Sequence, residues 1–126
     1  MPKKLTELQK NIFSHLLMTL DSFSNQENQK KYKEKVPFVH IPIELLAEWD
    51  EYHRLTSEKR DWFIVMFSEY EIEQMGRFEK YLMPIYKMRR IPDVPEIFNN
   101  RSWQIAMKEA KALHSLLSKK RMNADA

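Results

Sequence analysis

Across residues 5–23 the apolar positions Leu5, Leu8, Ile12, Phe13, Leu16, Leu20 and Phe23 recur at spacings of three and four, with Lys10, Asn11, Ser14 and Asp21 on the other side. This period predicts an amphipathic helix with one buried face. The next twelve residues, SNQENQKKYKEK, are polar all round. Segment 24–35 therefore reads as a solvated extension of that helix or a mobile connection, with nothing to anchor a core. VPFVHIPI, at 36–43, alternates like a strand, but Pro37 and Pro42 each remove a backbone donor. An extended, Pro-containing connection is expected there rather than a central strand.

Pro42 suits the start of a second helix, with Glu44 in the first turn where the dipole favours an acid. Leu45, Leu46, Trp49, Tyr52 and His53 form its stripe, ending near Leu55. Thr56 and Ser57, followed by Glu58 and Asp61, read as the capped start of a third helix. Over 62–88 apolar residues cover more than half the circumference, the pattern of a long central helix that touches several neighbours. Gly76 and Pro84 are its weak points, where a bend or break is expected. The prolines of RIPDVPEIFNN leave one short turn at 96–98, and Asn99 or Asn100 then caps a last helix with the stripe Trp103, Ala106, Met107, Ala110, Leu113 and Leu117. Residues 118–126 read as a frayed tail.

A single glycine, Gly76, sharpens this picture. Tight hairpin turns rely on glycine for positive φ, and phosphate loops and dinucleotide fingerprints are glycine-rich, so neither a β-rich fold nor those cofactor sites fit. The expectation is an all-α fold, an irregular bundle of four main helices in one domain over 1–126, with no internal repeat. With no cysteine, disulfides, thiolate nucleophiles and cysteine-ligated metal centres are excluded, which suits a cytoplasmic setting. The N-terminal segment has no continuous apolar core of a signal peptide. The longest apolar run, WFIVMF, is six residues against the ~20 of a membrane-spanning helix. A soluble protein without a membrane partner is expected.

The chemistry-bearing residues are sparse. Asp50 and His53 have the acid-x-x-His spacing of one half of a carboxylate-bridged metal site. The other half is missing, because Ile12, Pro37 and Lys111 stand three positions before His15, His40 and His114. The pair therefore reads as the polar edge of an amphipathic helix, with no cofactor implied. Glu69 and Glu73 fall with Arg77, Lys80 and Lys87 on one polar strip, a charge ladder in which Glu73 and Arg77 have the favourable spacing. Glu71 and Glu79 interrupt apolar sectors, and each needs a buried partner or a place at the rim. Glu79 is the candidate if an active acid exists. Ser14 and His15 are adjacent on a helix and point apart, so no nucleophile with its base is specified.

Charge is strongly segregated along the chain. Residues 1–40 carry seven bases and four acids, 41–80 five and ten, and 81–126 nine and four, which gives +3, −5 and +5 and the overall +3. Lys87, Arg89 and Arg90, with Lys119, Lys120 and Arg121, are the phosphate contacts of a nucleic-acid reading. Both groups lie at helix C-termini, where cations complement the dipole. Eight Met and fifteen aromatic residues, types enriched at interfaces, favour instead a non-enzymatic helical interaction module that binds a protein, including a second copy of itself. Trp62, Met66, Met83, Trp103 and Met107 are the interface candidates, and basic residues of 3–10 are expected opposite acids of 44–51 in the other copy. The alternatives are nucleic-acid association and a metal- or carboxylate-dependent enzyme.

Overall fold

The computed structural model describes residues 7–58 and 66–125, with side chains other than those of 53, 55–58 and 120–125. All elements are helical, and no strand occurs among the described residues. In chain order they are α1 (Glu7–Ser24), α2 (Gln26–Lys35), α3 (Ile41–Glu58), α4 (Glu69–Tyr86), a 3-10 turn (Glu96–Asn99) and α5 (Arg101–Asp125).

Most of the stripes read from the sequence become the core; Leu8, expected on the buried face of the first helix, is instead 60% exposed, and Leu5 lies outside the described residues. Phe13, Leu16, Leu20 and Phe23 of α1 are buried with Leu45, Leu46 and Trp49 of α3, Met75, Phe78, Leu82 and Ile85 of α4, and Trp103, Leu113 and Leu117 of α5. Helix α5 packs along both α1 and α4, and α1 also packs along α3. Ala106 and Ala110 are fully buried on α5, and their small side chains let its neighbours come close. Four aromatic rings mark the centre: Phe78 stands edge-on to Phe23 at 5.3 Å and to Trp49 at 4.7 Å, and Phe23 meets Trp103 at 5.4 Å. At the far end Phe13 packs edge-on against Phe67 at 5.7 Å. These contacts run α1 and α4 one way and α3 and α5 the other, which is the irregular helical bundle expected.

Several local expectations are corrected. The helix expected over 62–88 does not run through: Met66 is helical, Phe67 bends, and Ser68 starts α4 afresh. The cause is a capping box, in which the Ser68 hydroxyl accepts from the Glu71 N–H at 3.1 Å and the Glu71 carboxylate accepts from the Ser68 N–H at 2.7 Å. Helix α4 then passes through both Gly76 and Pro84. Thr56 and Ser57 lie within α3, which continues to Glu58, rather than at the start of a new helix. The helix expected to begin after them falls in 59–65, outside the described residues.

Segment 24–35 is neither an extension of α1 nor a loose connection. Asn25 caps α2 by accepting from the Asn28 N–H at 3.1 Å. Gln29 is 1% exposed, so this polar helix does anchor a core residue. Its amide donates to the Ser22 and Phe23 carbonyls at the end of α1 and accepts from the Trp103 indole at 3.2 Å. The connection at 36–40 is a turn rather than an extended strap, closed by the Val39 N–H on the Val36 carbonyl. The short turn before α5 and the Asn100 cap match expectation, with the Trp103 N–H on Asn100 Oδ1 at 3.0 Å.

Gly76 offers a clean test of how α4 is packed. A Cβ added there would meet nothing within 4 Å, and φ is not positive, so alanine removes the entropic cost of a mid-helix glycine without a clash. Gly76→Ala is expected to stabilise the protein by about 0.5–1 kcal/mol in urea unfolding. A loss of stability would mean that this face of α4 is covered.

Candidate functional site

Three polar clusters survive within the packed helices, and each has a structural reason. The first sits where the chain turns corners. Asp93, between α4 and α5, accepts from Lys33 Nζ at 2.6 Å, from the Ile41 N–H at 3.1 Å and from the Val94 N–H at 2.7 Å. Lys33 Nζ also donates to the Val39 carbonyl at 2.8 Å. His40 precedes α3 and caps it: its Nδ1 accepts from the Ile43 N–H at 3.2 Å, which leaves Nε2–H to donate to the Ile91 carbonyl at 2.7 Å. Partial burial alone would push the Asp93 carboxyl up, but the Lys33 ammonium, the two backbone donors and His40 hold it below the usual range.

The second cluster lies between α3 and α4. Glu79 accepts from the indole N–H of Trp49, and the Tyr86 hydroxyl donates to the Leu46 carbonyl at 3.2 Å. Burial, reinforced by the Glu79 and Asp50 charges, holds the Tyr86 phenol far above its ordinary value. Glu79 thus has the buried partner its place in an apolar sector required, and Glu71 is consumed by the capping box. A shallow, open hollow of about 260 Å³ is lined by Lys30, Lys33, Glu34, Val94 and Pro95, and neither Glu71 nor Glu79 takes part in it.

The third is a line of contacts between α1 and α3. Thr19 donates its hydroxyl hydrogen within reach of the His15 carbonyl at 3.0 Å and Glu48 Oε2 at 3.2 Å. Burial pushes the Glu48 carboxyl up; the Thr19 hydrogen bond and His15 oppose this, while Glu44 and Glu51 add to it. Burial, with the Glu48 and Glu51 charges, raises the Tyr52 phenol. Glu48 is thus crowded by like charge on a half-open surface.

The residues singled out in the sequence are dispersed. Asp50 lies on the exposed side of α3, and the His53 side chain is outside those described. Among the described residues no group of three or more His, Asp or Glu is placed to hold a metal. His15 is on the outside of α1, His40 is the α3 cap, and His114 pairs with Ser118 at 3.4 Å on α5. Arg77 reaches Glu109 of α5 at 3.7 Å and lies over the Tyr81 ring, so it links two helices rather than completing the expected ladder with Glu73.

Of the five interface candidates, Met66 and Trp103 are fully buried inside this chain, so they are core rather than contact surface. Met107 is half-buried, Met83 is 42% exposed and Trp62 is outside the described residues. Among the described residues the large apolar side chains on the surface are Leu8, Met18, Phe38, Ile43, Tyr70 and Met83. Lys87, Arg89 and Arg90 are exposed at the end of α4, and Lys119 is exposed near the far end of α5; the Lys120 and Arg121 side chains are outside those described. Eighteen residues of helix separate Arg101 from Lys119, about 27 Å, so the two basic groups do not converge. No helix among the described residues is long and apolar enough to cross a membrane. Compared with protein families, curated proteins and solved structures, the chain shows no match.

Two stability effects follow from these clusters. Asp93→Ala strands Lys33 and two backbone donors and is expected to cost about 2–3 kcal/mol, while Asp93→Asn, which keeps an acceptor, costs less. Because the Asp93 pKa is depressed, its contribution is full above the ordinary carboxylate pKa and is lost as pH falls through the lowered value. Chemical denaturation of both variants at neutral and acidic pH checks the order and the sign.

Glu48 behaves in the opposite sense. Its raised pKa means that the folded state favours the protonated carboxyl, so stability that is full below the ordinary pKa is lost as pH rises through the raised one. Glu48→Gln keeps an acceptor for Thr19 without the charge. It is expected to raise the melting temperature at neutral pH, with the difference shrinking on acidification.

Proposed function

We propose that this chain is a non-enzymatic helical interaction module whose partner is a protein, first of all a second copy of itself. The observation that carries this reading is the outer side of α1. Leu8 is 60% and Met18 is 64% exposed, with His15 between them on the same side of the helix. Ten residues of helix place the two apolar side chains about 15 Å apart. Alongside runs the Thr19–Glu48 contact, behind which Glu44 and Glu51 crowd the Glu48 carboxyl.

An apolar strip bordered by crowded carboxylates suits a partner that brings apolar residues with cations at their edge. Cations brought there relieve the like-charge repulsion at Glu48 and gain steering on approach. The chain has such a segment of its own in the lysines of 3–10. A two-fold contact uses the patch twice and closes without open ends. The commitment of Glu71, Glu79, His40 and Asp93 to caps and corner bonds also favours binding over catalysis.

Light scattering from micromolar to near-millimolar concentration tests this reading. The mass is expected to rise to twice the monomer, and Leu8→Asp with Met18→Asp is expected to return it to the monomer. Both side chains are largely exposed, so the fold should tolerate the exchange. A constant monomeric mass for the parent, or a dimer indifferent to both substitutions, would reject the proposal.

A further inference from the structure

The corner end of the bundle has a different character from the α1 side. There the last turn of α2, the turn holding Pro37 and Phe38, and the segment after α4 are drawn together by Lys33 on Asp93 and by His40 on the Ile91 carbonyl. Segments 26–40 and 87–101 contain eight Lys and Arg against four Asp and Glu. Two of those acids are already paired, Asp93 with Lys33 at 2.6 Å and Glu27 with Lys30 at 3.5 Å. That leaves six cations against Glu34 and Glu96.

All six are exposed, and no ion pair holds them among the described residues; they include Lys31, Lys35, Lys87, Arg89 and Arg90. Phe38 stands at this end with 87% of its surface exposed, more than any other large apolar side chain described. Nothing in the packing of the helices requires an aromatic ring there. Its neighbours in the chain, Pro37 and the capping His40, hold the turn that presents it.

We infer that this end binds single-stranded nucleic acid, with the lysines and arginines on phosphates and Phe38 stacked on an unpaired base. Cations supply affinity that depends on salt, and an exposed ring supplies a sequence-tolerant platform. The planar guanidinium groups of Arg89 and Arg90 suit bidentate phosphate contact and stacking alike. An anionic bilayer fits less well. Among the described residues the exposed large apolar side chains at this end are Phe38 and Ile43, with Met83 in the last turn of α4, too few for insertion, and Glu34 and Glu44 near them in the chain would be pressed against like charge. The site is separate from the α1 surface and does not depend on self-association.

Fluorescence anisotropy with a labelled oligothymidine of twelve nucleotides, and with a duplex of equal length, tests the site. Binding of the single strand is expected at low salt, with log K falling against log salt by about 0.7 per phosphate neutralised. Arg89→Ala with Arg90→Ala is expected to flatten that slope by about 1.4. Phe38→Ala is expected to weaken single-strand binding at least about fivefold while leaving the duplex unaffected. Lys119→Ala, at the opposite end, should change neither, and circular dichroism should show every variant equally helical. The inference is overturned by the absence of salt-sensitive binding, by an equal loss from Lys119→Ala, by indifference to Phe38→Ala, or by flotation with anionic vesicles under conditions where the oligonucleotide is not bound.

Discussion

A chain with one glycine has to turn its corners with side chains. None of the described residues has a positive φ, Gly76 included, so the left-handed residue that commonly ends a helix is not used. The burden moves to helix starts, where the first N–H groups lack partners. Four of the five described helices begin on a residue whose side chain accepts from the first turn: Asn25, His40, Ser68 and Asn100. A hydrogen bond of this kind is directional and fixes a start to one residue. Asp93 then links two corners, because the same carboxylate accepts from the start of α3, from Lys33 of α2 and from its own segment before α5. The aromatic centre of Phe23, Phe78, Trp49 and Trp103 is brought into register by corners fixed in this way.

That division explains what was legible in the sequence. Stripes are averages over many residues, so Phe13, Leu16, Leu20 and Phe23 could be assigned to the core without knowing what they touch, as could Trp103, Ala106, Ala110, Leu113 and Leu117. Corners depend on single residues, which such averages do not reveal. The capping box was visible in the spacing of Ser68 and Glu71, but the apolar breadth of 62–88 suggested continuity and hid it. Gln29 had no local signal, since its partners lie on α1 and α5. His40 is not one of the usual capping types, and its second bond, to Ile91, is made by residues far along the chain. Glu79 lay between these cases: its place in an apolar sector announced that it needed a partner, and only the tertiary structure supplied Trp49.

The same constraint shapes what the polar groups are available to do. A histidine that caps through Nδ1 and donates through Nε2 has its tautomer fixed and both nitrogens engaged. An aspartate that accepts from three donors has lost the freedom of a general base. His40 and Asp93 are thus engaged by the corners, while the described surface carries exposed apolar side chains and cations outside any ion pair.

Antiparallel packing converts blocks of charge along the chain into surfaces of opposite character. The acidic middle of the chain includes α3, and its Glu44, Glu48 and Glu51 crowd the side where α3 meets α1. The lysines of α2 and the arginines after α4 come from blocks more than fifty residues apart, yet Lys33 on Asp93 brings their segments to one end. The cations near the end of α5 remain at the other. The contact proposed along α1 and the one proposed at the corner end therefore call for partners of opposite charge. Since Leu8, His15 and Met18 lie along the bundle whereas Phe38, Arg89 and Arg90 lie at its end, occupation of one surface leaves the other open, and the two need not compete.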